Sequence, residues 1–299
     1  MRYILRKAVI NPVPEVEITA QEFSALKAAR GVLSNAFAIE EKYEIVISNF
    51  LELEKQLLDV AATNAVRDTN TYAEFFETRS LLNIRLVNLL TSTRLYLDQL
   101  PQHIDDCDLA DTEAISLVKA RCSEEYDKHF EFRFMEALRN YVQHRGIPVH
   151  FVRQGARWTS LEDDRLMEFS IHITAQRSYL EEDEKFKKTV LNEITGDVNL
   201  IAASRRYLES ISAINEFVRK LLQEPTASAR AAIEAAHHRY SQVCSETLIG
   251  LCALEMENSQ TTASIPLLLE WDDVRIQLQN RNRQLVNLSK RYVTSRVSI

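Results

Sequence analysis

TAQEFSALKAARGVLSNAFAIEEKYEIVISNFLELEKQLLDVAATNAV, residues 19–66, decides the fold. Thr19 and Glu22 have the spacing of a capping box, in which side chains and backbone amides exchange hydrogen bonds at a helix start. Beyond them Phe23, Leu26, Leu33 and Phe37, then Ile45, Phe50, Leu53 and Leu57, recur at helical spacing with charges between them. This predicts one very long helix, or two nearly collinear ones, ending near residue 66. Outward from it, the same pattern predicts helices over about 71–100, stopped by Pro101, and about 109–145. The second is capped by the acidic loop from Asp105 to Asp111 and stopped by Gly146 and Pro148. Further helices are expected over about 177–193, 198–223, 226–257 and 267–292, with boundaries at Gly196, Pro225 and Pro266. Roughly 70% of the chain then reads as helix, twice the usual share.

β-type runs are few. Residues 2–10 read as a strand broken by Pro12 and Pro14, and residues 148–153 and 167–173 read as a hairpin around a polar turn near Gly155. An isolated two-stranded hairpin is marginal in water, so the N-terminal strand is a candidate third member. The expected fold is therefore all-α: a bundle of long antiparallel helices with a small β-hairpin insertion. Its expected parts are a helical module with an N-terminal strand over 1–146, the hairpin element over 147–176, and a C-terminal helical region over 177–299 packed on the first.

Composition removes several function classes. Five glycines in 299 residues leave little for turn-rich sandwiches, propellers or barrels. No GxGxxG or GxxxxGK[ST] occurs, so the common glycine-loop nucleotide sites lack support. No apolar run reaches the roughly 18 residues of a membrane span, and the N-terminus lacks a signal peptide's apolar segment. Cys107, Cys122, Cys244 and Cys252 show no CxxC spacing; Cys244 and Cys252 fall about two turns apart on the helix predicted there. Reduced thiols and a cytoplasmic location without membrane contact are expected. The net charge of −7 opposes non-specific nucleic-acid binding, but it is unevenly placed. Residues 132–160 hold Arg133, Arg139, Arg145, Arg153 and Arg157 against Glu136 alone, and Arg275–Ile299 contains no acidic side chain. Such patches can bind a polyanion locally.

The stretch FEFRFMEALRNYVQHRG, residues 130–146, carries the chemistry. On a helix Phe130, Phe134, Ala137, Leu138 and Tyr141 form an apolar stripe within roughly 100°. Arg133, Glu136, Asn140, Gln143 and His144 gather on the neighbouring face, with Asn140 directly one turn before His144. Arg139 lies about 140° round from His144 and reaches it only through a long side chain. These residue types suit phosphodiester chemistry without a metal. A histidine, with an ordinary pKa of about 6.5, can take a proton from a ribose 2′-hydroxyl or give one to the leaving oxygen. An arginine can grip non-bridging oxygens with two prongs and offset developing charge. An asparagine can orient the imidazole or hold the phosphate. Only RNA offers an internal 2′-hydroxyl.

Arg139-Asn140-Tyr141-Val142-Gln143-His144 resembles the motif of the HEPN family (higher eukaryotes and prokaryotes nucleotide-binding domains): an Arg, four to six residues, then a His, often with a polar residue directly after the Arg. Looser Arg-to-His spacings occur elsewhere in the chain, but Arg-Asn-x-x-x-His on one helix occurs once. The resemblance implies an all-helical bundle that dimerises and joins two motifs in one cleft. Many members are metal-independent ribonucleases of toxin–antitoxin, phage-defence or RNA-processing systems, and some are non-catalytic binding modules. It therefore implies an endoribonuclease in which His144 transfers protons, Arg139 stabilises the phosphorane-like state and Asn140 positions base or phosphate. Arg133, Arg145, Arg153, Arg157, Arg281 and Arg283 are the expected RNA contacts. No metal or cofactor is expected, and the partners would be RNA, a second copy and a cognate antitoxin or defence-system protein. The alternative is a non-catalytic helical RNA- or protein-binding scaffold or antitoxin-type partner. At a helix C-terminus Arg and His also gain from the macrodipole without any further role.

Other candidates read as structural. His103 with Asp105, Asp106, Asp108 and Asp111 lacks the glycine and terminal Glu of a calcium loop. His237 and His238 are adjacent on a helix, where neighbours diverge. Ser160 and Ser170 sit near histidines without a nucleophile elbow. Leu180–Glu184 followed by Lys185, Lys187 and Lys188 reads as a solvated helix with paired charges. Arg281, Arg283, Lys290, Arg291 and Arg296 alternate with Leu285, Leu288 and Tyr292, a packed helix with a basic side. Phe132 and Tyr141 are candidates to stack on a base, although Tyr141 falls on the core stripe.

Overall fold

A computed structural model describes residues 1–9, 12–67, 71–107, 113–160, 165–244 and 247–293. The chain forms two compact units, one from Met1–Lys42, Asp98–Val118 and Phe217–Arg283, the other from Tyr43–Leu97, Lys119–Glu216 and Gln284–Ile299. About 65% of the described residues are helical. The all-α expectation is nevertheless wrong: among the described residues there are, beside eight α-helices, seven strands in two antiparallel sheets.

The first unit is built on a sheet. Strand β1 (Arg2–Lys7) pairs with β2 (Val16–Ile18) on one side and with β6 (Leu251–Glu257) on the other, and β7 (Gln260–Pro266) closes the order β2-β1-β6-β7. The N-terminal strand thus joins this sheet, not the hairpin near residue 150. The helix expected through 257 is also corrected. Leu251, Ala253, Leu254 and Met256 are good helix formers, but pairing with β1 buries Leu251–Leu254 on both faces, and that tertiary gain overrides propensity. Asn258 and Ser259 take φ of 48° and 66°, the two left-handed residues of a tight hairpin turn. Gly250 opens β6 at φ 80°, which lets its carbonyl accept the Ala8 amide at 2.8 Å.

The sheet packs on the first turns of α1 (Ala20–Val66) and the last turns of α7 (Leu200–Ser241), around Leu5, Phe23, Leu33, Ile233, Tyr240 and Leu267. The capping box at α1 is formed: the Thr19 amide donates to Glu22 at 2.6 Å and the Glu22 amide to Thr19 Oγ1 at 3.1 Å. Helix α7 runs through Pro225, where a break was expected; the Thr226 hydroxyl donates to the Leu222 carbonyl there. Helix α2 (Tyr72–Asp105) likewise passes Pro101. Helix α8 (Glu270–Arg281) stops eleven residues short of the expected end at 292. Its Asp272 is fully buried and accepts Arg275 and Arg230, so a charge network and not a basic stripe fixes it.

Helix α3 (Ala114–Lys128), which starts in the first unit, and helix α4 (Phe130–His144), in the second, replace the single helix expected over 109–145. The break is at His129, which is extended at φ −120° and ψ 117°. Arg133 explains it: Nη1 takes the Tyr126 and Asp127 carbonyls at 2.8 and 2.7 Å, closing α3 from one turn inside α4. The acidic loop expected to cap α3 lies partly outside the described residues, at Asp108 and Asp111. Strands β3 (Phe151–Trp158), β4 (Met167–Ala175) and β5 (Val198–Asn199) form the second sheet, β3 and β4 as an antiparallel pair. The helix expected over 177–193 is two short ones, α5 (Arg177–Glu181) and α6 (Lys188–Glu193). The acidic run between them is a turn, because Asp183 turns inward to Arg145. The segment over residues 282–293 is also not helical, apart from a 3₁₀ turn at Leu288–Lys290. It is strapped to α7 through Leu285 on Ser212, Leu288 and Ser289 on Glu209, and the Arg291 carbonyl on Arg205. Arg296 lies outside the described residues.

Candidate active site

Helix α4 buries Phe132, Phe134, Met135, Ala137 and Leu138, so its apolar face is broader than the sequence stripe and includes Phe132, which is unavailable for stacking. Tyr141 is half-buried, its ring edge against His150 at 5.8 Å and Phe186 at 6.3 Å. The opposite side carries the motif. Asn140, Gln143 and His144 are exposed, and Arg139 is half-buried.

Arg139 is the informative residue. Its Nη1 donates to Asn140 Oδ1 at 3.0 Å, and its Nε is buried without an acceptor. It forms no ion pair among the described residues, which leaves the outer guanidinium donors unspent. His144 likewise makes no hydrogen bond or ion pair among the described residues. At the helical pitch the order around α4 is Arg139, then Asn140 at about 100° and His144 at about 140°.

A buried network backs this face. Glu136, one turn before Asn140, accepts the Tyr207 hydroxyl of α7 and Arg94 Nη1 of α2 at 3.2 Å. Burial drives the Tyr207 hydroxyl far above its ordinary pKa, and Glu136 adds to this, while Arg94 and Arg139 both oppose it. Both guanidiniums therefore bear on the Tyr207 hydroxyl. Burial, with Glu136 next, also pushes the nearby Cys122 thiol up to about 11, so it is no nucleophile at neutral pH. Arg94 and Tyr207 had no sequence signal, since they come from helices far away along the chain.

The helix end is fixed by backbone. The Arg145 and Gly146 amides donate to the Tyr141 carbonyl at 2.8 and 3.3 Å, and Val149 exchanges hydrogen bonds with the buried Asn83 side chain at 2.8 and 3.4 Å. Gly146 is required by proximity, because the Tyr141 ring covers its α-carbon.

The expected RNA contacts divide. Arg133 is fully engaged, holding Glu193 through Nε at 3.1 Å and Nη2 at 2.5 Å besides the two α3 carbonyls. Arg145 pairs with Asp183 at 3.2 Å and Arg157 with Glu168 at 2.6 Å across the β3–β4 pair. Arg153 is exposed and makes no hydrogen bond or ion pair among the described residues. Arg281 and Arg283 belong to the first unit, whereas the motif lies in the second.

The remaining candidates are structural. His103 bridges Asn35 and Lys42 at 2.9 Å each. His237 meets the Leu267 carbonyl at 2.5 Å. Ser170 and His172 sit 3.3 Å apart on β4, with no carboxylate orienting the imidazole among the described residues. Among the described residues no group of three or more His, Cys, Asp or Glu side chains is placed to share a metal ion, and no helix is long and apolar enough to cross a membrane. Comparison with known proteins finds no matching family model, no matching curated protein and no matching solved structure.

Proposed function

We propose that the chain is a metal-independent endoribonuclease of the HEPN type, cutting RNA by attack of its own 2′-hydroxyl. The observation that carries this reading is Arg139: an arginine buried at Nε, steered by Asn140, and kept free of any carboxylate on the exposed side of the helix that also presents His144. In the reaction His144 takes the 2′-hydroxyl proton, and the 2′-oxygen forms a bond to the adjacent phosphorus. The bond from phosphorus to the 5′-oxygen breaks, and that oxygen leaves with a proton returned by a protonated His144 of either copy. The products are a 2′,3′-cyclic phosphate and a 5′-hydroxyl, so no water or co-reactant enters. Arg139 offsets the charge that grows on the non-bridging oxygens.

One Arg139 and one His144 about 140° apart clamp a single phosphate poorly. Two copies across a two-fold axis would supply two of each, so the working form is a homodimer. The chain acts in the cytoplasm in a toxin or phage-defence role, held in check by a cognate antitoxin or defence-system protein.

The test uses purified full-length protein on single-stranded RNA in EDTA. Cleavage with cyclic-phosphate ends is expected, reduced at least about 100-fold in His144→Ala and in Arg139→Lys, with dimeric mass by light scattering. Binding should weaken with salt and persist in EDTA. Cleavage lost in EDTA and restored by a divalent ion overturns the metal-free step. RNA or protein binding without any cleavage returns the chain to the scaffold or antitoxin-type reading.

A further inference from the structure

At the C-terminal end of α4 the surface opens into a cleft of about 330 Å³ lined by Tyr141, Arg145, Tyr179, Glu182, Asp183 and Glu184. Tyr141 lies one turn before His144 and Arg145 directly follows it. The cleft therefore begins about 60° further round α4, with His144 between it and Asn140.

Two tyrosines form its walls. Tyr179 is 50% exposed, yet its ring is braced by His150 at 4.8 Å, and His150 in turn meets Tyr141. Asp183 is already committed, accepting Arg145 Nε and the Lys185 amide, each at 3.2 Å. Glu182 and Glu184 are exposed, and their carboxylates make no hydrogen bond or ion pair among the described residues. Burial raises the Tyr141 hydroxyl pKa, and the charges of Asp183 and Glu182 add to it; Glu182 and Tyr141 line the same cleft.

Free carboxylates beside a phosphodiester site repel the backbone they should receive, unless they face something else. A nucleobase fits. It is neutral, offers a flat face to a tyrosine, and presents N–H donors to a carboxylate, which can only accept. Guanine alone carries two adjacent donors on its pairing edge, N1–H and the 2-amino group, matching both oxygens of one carboxylate. Adenine and cytosine place a ring acceptor beside their amino group, and uracil flanks its single N–H with two acceptors. Each of these would set a lone pair against the negative charge.

We infer that this cleft seats the guanine of the nucleotide whose 2′-hydroxyl faces His144, with Tyr179 as the stacking platform and Glu182, seconded by Glu184, as the reader of its pairing edge. The chain then cuts single-stranded RNA on the 3′ side of G. This rests on the reading of Arg139–His144 as a ribonuclease site. The test sequences the ends produced from a random single-stranded RNA pool by wild-type protein and by Glu182→Gln/Glu184→Gln, both checked for folding by thermal melts. Cutting after G is expected to dominate in the wild type. The double variant should lower the ratio of cutting after G to cutting after other bases by roughly 5- to 100-fold, the discrimination of one two-pronged base contact. A wild type without base preference, or a double variant that keeps it, overturns the inference while the ribonuclease reading stands. If the wild type cuts no RNA, the ribonuclease reading fails, and titration with guanosine 3′-monophosphate against uridine 3′-monophosphate, followed by tyrosine fluorescence, decides the cleft alone. Guanosine-selective binding lost in Tyr179→Ala and in the double variant supports it; equal or absent binding of the two nucleotides overturns it.

Discussion

Gly146→Ala probes whether the end of α4 is set by one aromatic ring. A Cβ at position 146 would stand 2.7 Å from Tyr141 Cζ and 2.9 Å from Cε1. Ordinary contact begins at 3.4 Å, so Cζ must withdraw by about 0.7 Å and the Tyr141 hydroxyl oxygen, nearer still, by more. His150 and Phe186 pack edge-on with the ring, and the cleft leaves one side open. Overpacking costs about 1–3 kcal/mol, and the open side holds this case to about 1–2 kcal/mol. At roughly 2–4 °C per kcal/mol for a large domain, the melting temperature should fall by about 2–8 °C. The assay is thermal unfolding of wild type, Gly146→Ala, Tyr141→Ala and the double variant. Without the ring the three atoms nearest the added methyl are gone, so the two losses should fall short of additivity by about 1 kcal/mol. A Gly146→Ala protein that melts with the wild type, or losses that simply add, would refute the argument.

Two further outcomes follow from the same half of the chain and its neighbours. Glu136→Ala strands the buried Tyr207 hydroxyl and removes the Arg94 partner; because Glu136 is partly exposed the loss should be about 2–3 kcal/mol, and Glu136→Gln, which still accepts Tyr207, should lose less in urea unfolding. His103, His129 and His150 all have depressed pKa values, each chiefly from burial, with Lys42 assisting at His103 and Arg206 at His129. The unfolded chain therefore binds these protons more readily, so stability is fully present above about pH 6.5 and falls as pH drops below it. Melting curves from pH 7.5 to 5 should show this decline, and a flat profile would sink the assignment.

What the sequence made legible was local. The Thr19–Glu22 box and the long apolar period of α1 lie within a few residues of the structure they dictate, and α1 forms over Ala20–Val66. Strand β6 was illegible for the opposite reason. Leu251–Glu257 reads as helix residue by residue, and its state is set by β1, which pairs Leu5 with Ala253 across almost the whole chain. The one local sign was Asn258-Ser259, a pair suited to left-handed turn positions. The prolines misled differently: at 101 and 225 a single missing amide was outweighed by packing on either side, and the helices continued.

The charge pattern shows most sharply where reading along the chain stops being physics. Five arginines against one glutamate in residues 132–160 looked like a basic surface. Three of those arginines are balanced by carboxylates from outside the window, Arg133 by Glu193, Arg145 by Asp183 and Arg157 by Glu168. A local excess of charge in sequence is therefore no excess in space. Within that window only Arg139 and Arg153 keep their guanidiniums clear of carboxylates among the described residues. Arg139 is also the one whose stem is buried and whose head is aimed by a neighbour. Ordering a long arginine costs side-chain entropy of the order of 2 kcal/mol, and at Arg139 the burial of Nε and the Asn140 contact already meet part of that cost. An arginine held ready without an anion is what a phosphate site requires and what a helix-end arginine serving only the macrodipole does not, since the dipole rewards charge near the last turn whatever its orientation. The proposal for the motif thus rests less on the spacing of Arg139 and His144 than on Arg139 making no ion pair among the described residues where Arg133, Arg145 and Arg157 each make one.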